Sequence, residues 1–394
     1  MPPFTDRFRT LPTYMLAGIP ARKRELLARG VDVIDLGAGD ADLAPPPAAV
    51  EALRRAAGET SLWRYGFGLG LPAYREAITR WMHKRFGLSF DPYTEVVPLI
   101  GSKEGIAHLA LAYLQKGDVA IIPEPGYPSY LGGTLLSEAT PHVVPLEPRT
   151  DFLLELEEIP DAVLRRARLL YLNYPNNPTA ATAPREYLER IVRRCRELDI
   201  LLVYDNAYSE LAFDGYRPPS IFEVDGAAEV ALEFHSLSKT YNMTGARIGW
   251  AVGRPELVGA LAKVKSVIDT GPFLAVQYAG AAALDSWAEF VPGNVATFQA
   301  RRDAAAAAFR EAGFVGETPR ATMYLWLALP AGMASAPFAS ELLETEGVVV
   351  IPGSSFGGGG EGFIRVSLTT SPERLREAAA RAGRVLARAA AAVR

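Results

Sequence analysis

Between Glu95 and about Val291, short apolar runs alternate with longer helical patterns, and this alternation restricts the fold more than any other feature of the chain. Runs at 96–100, 119–122, 169–172, 200–204, 230–234 and 247–252 have the length and composition of strands. Patterns at 102–114 and 185–198 have the length of helices. Strands joined through helices cannot pair as hairpins. They give a mostly parallel sheet with helices on both faces. Ligands in such sheets lie beyond the carboxyl ends of the strands. The notable polar residues here all follow strands: Ser102 and Lys103, Tyr127, Asn177, Asp205 and Tyr208, and Ser236, Ser238 and Lys239. One crevice is expected to collect them.

The last of these segments carries the most chemistry. Phe234-His235-Ser236-Leu237-Ser238-Lys239 leaves one strand, and Arg247 opens the next. A lysine on such a tight connection is placed to form an imine with a carbonyl cofactor. Ser236, Ser238 and Arg247 are residue types that hold a phosphate, the guanidinium through a forked pair of charge-assisted bonds. Gly101-Ser102-Lys103-Glu104-Gly105 opens a helix directly after a strand, which is a ready anion site. Gly37-Ala38-Gly39 also follows a strand-like run, but the third glycine of a dinucleotide fingerprint is absent and Pro45, Pro46 and Pro47 follow.

Bulk properties exclude several classes of function. The 394 residues are 49% hydrophobic and 22% charged, which suits more than one well-packed domain. The net charge is −4, and the arginine pairs at Arg54-Arg55, Arg165-Arg166, Arg193-Arg194 and Arg301-Arg302 are scattered through helical patterns. No nucleic-acid surface is expected. No apolar stretch is long enough to span a bilayer, and Met1-Pro2-Pro3-Phe4 shows no signal-peptide core. The single cysteine, Cys195, excludes an intrachain disulfide and lies at helical spacing from Ile191 and Leu198, which places it in a core. His83, His108, His142 and His235 show no paired metal-ligand spacing, so no metal is expected. The expectation is a soluble cytoplasmic protein that needs neither membrane nor nucleic acid.

The flanks differ from the middle. An arm with a helix over 19–29 and a strand over 31–36 comes first. Helices over 47–57 and 72–86 follow, the second opened by Pro72 after the aromatic, glycine-rich Trp63-Arg64-Tyr65-Gly66. Beyond about Val291 the patterns give a helix over 294–312, strands at 324–329, 348–351 and 363–368, a flexible loop at 357–360 and a last helix over 372–391. The expected domains are an arm with part of a small domain (1–45), a large domain (46–290) and the rest of the small domain (291–394).

Ser236-Leu237-Ser238-Lys239 with Arg247 eight positions on resembles the cofactor-lysine segment of the class I and II aminotransferases, which use pyridoxal 5'-phosphate. Each candidate alone has an ordinary reading: a surface lysine, a helix N-cap for Asp205, a core tyrosine for Tyr208, a turn asparagine for Asn177, an edge-strand arginine for Arg365. The resemblance rests on their order along nearly the whole chain. It implies an α/β fold of the aspartate-aminotransferase type, with a mostly parallel seven-stranded sheet in the large domain and a smaller α+β domain. It further implies Lys239 at the cofactor's aldehyde and Asp205 at the ring nitrogen. Tyr208 and Asn177 would meet the phenolic oxygen, and Tyr127 would stack on the ring. Ser102, Lys103, Ser236, Ser238 and Arg247 would gather at the phosphate. Tyr65 would reach the phosphate of a second subunit, which implies a homodimer with shared sites. Arg365 would bind the substrate's α-carboxylate, with Tyr14 and Gly39 also touching substrate.

Four segments narrow the resemblance to the LL-diaminopimelate aminotransferases: Leu99-Ile100-Gly101-Ser102-Lys103-Glu104-Gly105-Ile106-Ala107-His108, Asn173-Tyr174-Pro175-Asn176-Asn177-Pro178-Thr179, Asp205-Asn206-Ala207-Tyr208-Ser209-Glu210, and 234–245. Three positions depart from that pattern. Ala180 and Ala41 stand where glycine and proline are usual, and Ala246 stands where an aromatic is common. The implied reaction moves an amino group from an amino acid, first LL-diaminopimelate, to 2-oxoglutarate. Aspartate, N-succinyl-diaminopimelate or another amino acid is the alternative donor. A β-lyase or decarboxylase would use the same cofactor residues. A cofactor-binding regulator would need a basic DNA-binding domain, for which the arm before Val31 is too short.

Overall fold

The computed structural model describes residues 2–12, 18–66 and 70–392. Its strands, in chain order, are Ile34–Asp35 (β1), Val96–Leu99 (β2), Val119–Glu124 (β3), Thr140–Pro145 (β4), Ala167–Leu172 (β5), Leu201–Asp205 (β6), Ala231–Ser236 (β7), Gly249–Gly253 (β8), Tyr324–Ala328 (β9), Val348–Val349 (β10), Ile351–Pro352 (β11) and Phe363–Ser367 (β12). Seven of them form one sheet in the order β2-β8-β7-β6-β5-β3-β4. Only β8 runs against the rest, antiparallel to both β2 and β7. The two reversals cancel, so β2 points the same way as β7, and the turns after β2, β3, β5, β6 and β7 all open on one side.

The middle strands are mostly apolar because helices cover both faces. β5 and β6 bury Leu170, Leu172, Leu202 and Tyr204 toward the helix Arg185–Leu198 and Leu169, Tyr171 and Val203 toward the other side. Cys195 packs in that first layer, and burial pushes its thiol up to about 12, so it is inert at neutral pH. β4 was not anticipated from the sequence. It is an edge strand, with one neighbour and with Thr140, Val143 and Pro145 exposed, so it tolerates Pro141 and Pro145.

The C-terminal part builds a second layered unit. β9, β12 and β11 form an antiparallel sheet, and β10 pairs in parallel with β1 of the N-terminal segment. Its core joins Phe298, Phe309, Leu325, Leu327, Phe338, Leu342, Ile364, Val366 and Leu375 from the sheet and the helices Trp287–Glu311, Ser335–Glu346 and Pro372–Ala392.

Several expected boundaries shift, each for a packing reason. The strand expected over 31–36 pairs only at Ile34 and Asp35, where the chain meets Val348 and Val349. The run at 348–351 splits at Val350 and serves two sheets. The helix expected from Asn294 begins at Trp287 and runs through Pro292, because Trp287 and Val291 pack into the core beside Trp250. The glycine run at 357–360 is not a flexible loop. It includes the short turn Gly358–Gly360, and the Gly359 N–H donates to Glu124 at 3.0 Å. No helix among the described residues is long and apolar enough to cross a membrane.

Candidate active site

Beyond the carboxyl ends of the strands lies a cavity of about 740 Å³ between the large sheet and the C-terminal unit. Ser102, Lys103, Tyr127, Asn177, Asp205, Tyr208, Ser236, Ser238, Lys239, Arg247, Arg365 and Gly39 all line it. Tyr65 does not; it is 73% exposed. Tyr14 lies outside the described residues.

Lys239 sits on the short helix Leu237–Thr240 that follows β7. Its ammonium donates to the carbonyl of Gly39, which belongs to the N-terminal segment and fits only because the Tyr324 hydroxyl fills the place of a Cβ. Asp205 ends β6 and is buried. The Tyr130 hydroxyl donates to its Oδ2 at 2.9 Å, while Oδ1 is buried and has no partner. Burial pushes this carboxyl up to about 6, against the opposing pull of the Tyr130 hydroxyl and His235. A buried, partnerless carboxylate oxygen in a cavity wall calls for a donor that carries positive charge.

Three turns converge at one end of the cavity. Gly101 has φ +73°, and a Cβ there would stand 2.6 Å from Arg247 Nη2. Gly249 likewise leaves no room for a Cβ, which would meet the His235 carbonyl at 2.5 Å and the Ser102 N–H at 3.1 Å. These two glycines let the N-terminus of helix Ser102–Tyr113, the hydroxyls of Ser236 and Ser238, and the guanidinium of Arg247 share one small space. That donor set suits a phosphate. The turn is braced from below, since Glu104 accepts from the Ile100 N–H at 2.9 Å and from Lys265. Glu104, His108 and Asp269 gather there, and the Lys265 ammonium, 3.0 Å from Asp269, lies among them.

At the other end Arg365, on β12, is buried. Its Nη1 donates to Asn177 Oδ1 at 2.8 Å and its Nη2 to the Gly37 carbonyl at 2.7 Å, while Nε has no partner. Its guanidinium lies 4.2 Å from the Tyr324 ring centroid and 4.9 Å from that of Phe356. Asn177 is held in turn by Asn173, whose side chain also donates to the Asp205 carbonyl at 2.7 Å. The Tyr127 ring lies along the cavity wall, edge-on to Tyr130 at 5.8 Å. Sequence reasoning missed Tyr130, Tyr324 and Asn173. Tyr130 follows Tyr127 by one helical step, but Tyr324 comes from a distant strand and carries no local signal.

A buried acid with one unpartnered oxygen, a lysine in the same cavity and a phosphate cradle at one end fit pyridoxal phosphate: Asp205 would face its ring nitrogen, Lys239 its aldehyde, and the cradle its phosphate.

Comparisons with known proteins agree. Residues 31–381 match the family described as aminotransferase class I and II. The chain is 48% identical over 372 residues to an LL-diaminopimelate aminotransferase of Desulforudis audaxviator, covering 94% of this chain and 95% of that one. The substrate-bound structure of BacF from Bacillus subtilis superposes with a TM-score of 0.93 at 34% identity, covering 98% of each chain. A probable N-succinyldiaminopimelate aminotransferase from Thermus thermophilus gives 0.89 at 38% identity, covering 95% of this chain and 100% of that one. The chain therefore belongs to the class I and II aminotransferases, and its cofactor is pyridoxal phosphate.

Proposed function

We propose that the protein transfers the amino group of LL-diaminopimelate to 2-oxoglutarate, as a step in lysine biosynthesis. The observation that carries the choice of donor is the identity, over nearly the full length of both chains, with an LL-diaminopimelate aminotransferase.

Pyridoxal phosphate, when bound, supplies a carbonyl that an amine can condense with and a ring that withdraws electrons from the substrate's Cα. The rest falls to the chain. Asp205 holds the ring nitrogen's proton, because a buried carboxylate and a cation stabilise each other's charged forms. Ser102, Ser236, Ser238 and Arg247 hold the phosphate, with Lys103 beside them. Tyr127 covers the ring, and Tyr208 and Asn177 meet its phenolic oxygen. Arg365 fixes the α-carboxylate, for which its partnerless Nε and one Nη offer a forked pair. Gly39 and Tyr14 border the substrate. Lys239 is the base that would take the proton from the substrate's Cα. Closing the C-terminal unit over the crevice excludes water and strengthens each of these charge pairs.

The proposal includes a homodimer in which Tyr65 serves the partner's site. Exposed apolar residues support it: Trp63 is 64%, Tyr65 73%, Val267 83% and Ile268 51% exposed, and Trp63 packs on Phe273 with ring centroids 5.1 Å apart. Cytoplasmic residence belongs to the same reading. The test is kcat/KM for LL-diaminopimelate, aspartate, N-succinyl-diaminopimelate and an aromatic amino acid, each with 2-oxoglutarate. LL-diaminopimelate is expected to lead. An aromatic or neutral donor in first place would remove the diaminopimelate assignment.

A further inference from the structure

Beneath the phosphate cradle lies a buried ammonium that the proposed chemistry leaves unused. Lys265, on the helix Pro255–Ile268, is 4% exposed, and its Nζ donates to Glu104 Oε1 and to both oxygens of Asp269, at 3.0 and 3.2 Å. Asp269 is fixed in turn, since its Oδ1 accepts from the Gly271 N–H at 2.7 Å. The ammonium is thus anchored on one side and holds Glu104 on the other. Glu104 Oε1 also accepts from the Ile100 N–H at 2.9 Å, and its Oε2 lies 2.9 Å from His108 Nδ1.

Glu104 is the third residue of the helix Ser102–Tyr113. A carboxylate at that place is drawn to the positive end of its helix and commonly reaches back to cap it. Here it is turned instead to the N–H of Ile100, which precedes the helix, and to Lys265. Gly101, at the N-cap position, offers no side chain, and no described side chain caps the helix. An open helix N-terminus of this kind suits a phosphate. A negative charge in its first turn competes for the same end. Burial raises the Glu104 carboxyl, but His108, Lys265 and the Ile100 N–H outweigh burial and hold it below the usual carboxylate range. The group is therefore charged at neutral pH, directly behind a site for an anion.

We propose that Lys265 is a positioning residue for the cofactor's phosphate: it holds and neutralises Glu104 behind the turn, which leaves the N-terminus of the helix Ser102–Tyr113 to the phosphate. Lys265 does not line the cavity, so it acts through Glu104. The proposal rests on the assignment of the cradle to that phosphate.

The experiment measures dissociation constants of pyridoxal phosphate and of pyridoxal, which lacks the phosphate, for the full-length protein freed of cofactor. Wild type, Lys265→Met, Glu104→Gln and the double variant are compared. Wild type should bind pyridoxal phosphate more tightly than pyridoxal; equal affinities would overturn the assignment of the cradle. Lys265→Met should weaken pyridoxal phosphate by roughly 10- to 100-fold, the scale of a hydrogen bond to a charged group, and leave pyridoxal nearly unchanged. Adding Glu104→Gln should restore most of the loss, because the amide still accepts from Ile100 and no longer carries the charge. Glu104→Gln alone should bind pyridoxal phosphate at least as tightly as wild type, which keeps the test open where Lys265→Met fails to fold. Unchanged affinity for pyridoxal phosphate in Lys265→Met, no recovery in the double variant, or weaker binding by Glu104→Gln overturns the proposal. So does an equal loss for both ligands, or a lowered thermal midpoint with the ratio of the two constants unmoved, since a purely structural ion pair would give those results.

Discussion

Arg365→Ala is the sharpest perturbation of substrate binding. Arg365 is 5% exposed, is held by Asn177 and Gly37, and keeps Nε without a partner. A substrate carboxylate arriving there meets a guanidinium already desolvated and fixed, so little ordering remains to oppose the pair. Removing one member of a buried, hydrogen-bonded charge pair costs about 2–5 kcal/mol. At about 1.4 kcal/mol per tenfold, that is a loss of roughly 30-fold to several-thousand-fold in kcat/KM. The assay is steady-state transamination of an α-amino acid, compared with a primary amine that lacks the carboxylate. The loss should appear with the amino acid and be nearly absent with the amine. Arg365→Lys should recover only part of it, because an ammonium cannot form two parallel bonds. The cofactor's visible absorption should persist in both variants. Near-normal kcat/KM for the amino acid in Arg365→Ala, or an equal loss for the amine, would refute this reasoning.

Two other perturbations test different parts of the site. Asp205→Asn should lower turnover by at least about 100-fold, since an amide cannot hold the charge that keeps a pyridinium protonated. In the cofactor-free protein, Asp205 titrates near 6 folded against an ordinary 3.8. Its raised value means that its contribution to stability is fully present below about pH 3.8 and is lost as pH rises through about 6. Denaturant midpoints across that window should fall for wild type relative to Asp205→Asn; parallel curves would count against a buried carboxyl with one unpartnered oxygen. A Tyr65→Ala chain mixed with a Lys239→Ala chain should regain about a quarter of wild-type activity, because half of the random dimers are hybrids with one intact site each. Activity no higher than that of either variant alone would exclude shared sites.

Much of the cofactor end of the site was legible in the sequence, because its residues lie within a few positions of strand ends and carry local signatures. Ser236, Ser238 and Lys239 fall on one turn, and Ser102 opens a helix directly after β2. The parallel sheet then brings those turns together, which the alternation alone implies. What stayed hidden depends on contacts between remote segments. Tyr324 meets Tyr208 across 116 positions, and Lys239 meets Gly39 across 200. Short edge and paired segments were misjudged for a related reason. β1 and β10 are two residues each and exist only because they pair with one another. Ala180, where glycine is usual, adopts φ +62° in a buried turn, held by its N–H to the Asn176 carbonyl at 3.0 Å. Tertiary context overrides the local preference there.

The measurement closest to the centre of this account asks which lysine carries the cofactor. The holoenzyme, as purified with pyridoxal phosphate, is reduced with borohydride, digested and mapped by mass spectrometry. Reduction makes the link to the lysine permanent, so the phosphopyridoxyl mass marks the residue that held it. The account predicts that mass on the peptide containing Lys239, with none in Lys239→Ala. The same mass on Lys103, on Lys265 or on any other lysine of the wild-type protein, with Lys239 unmodified, would contradict it.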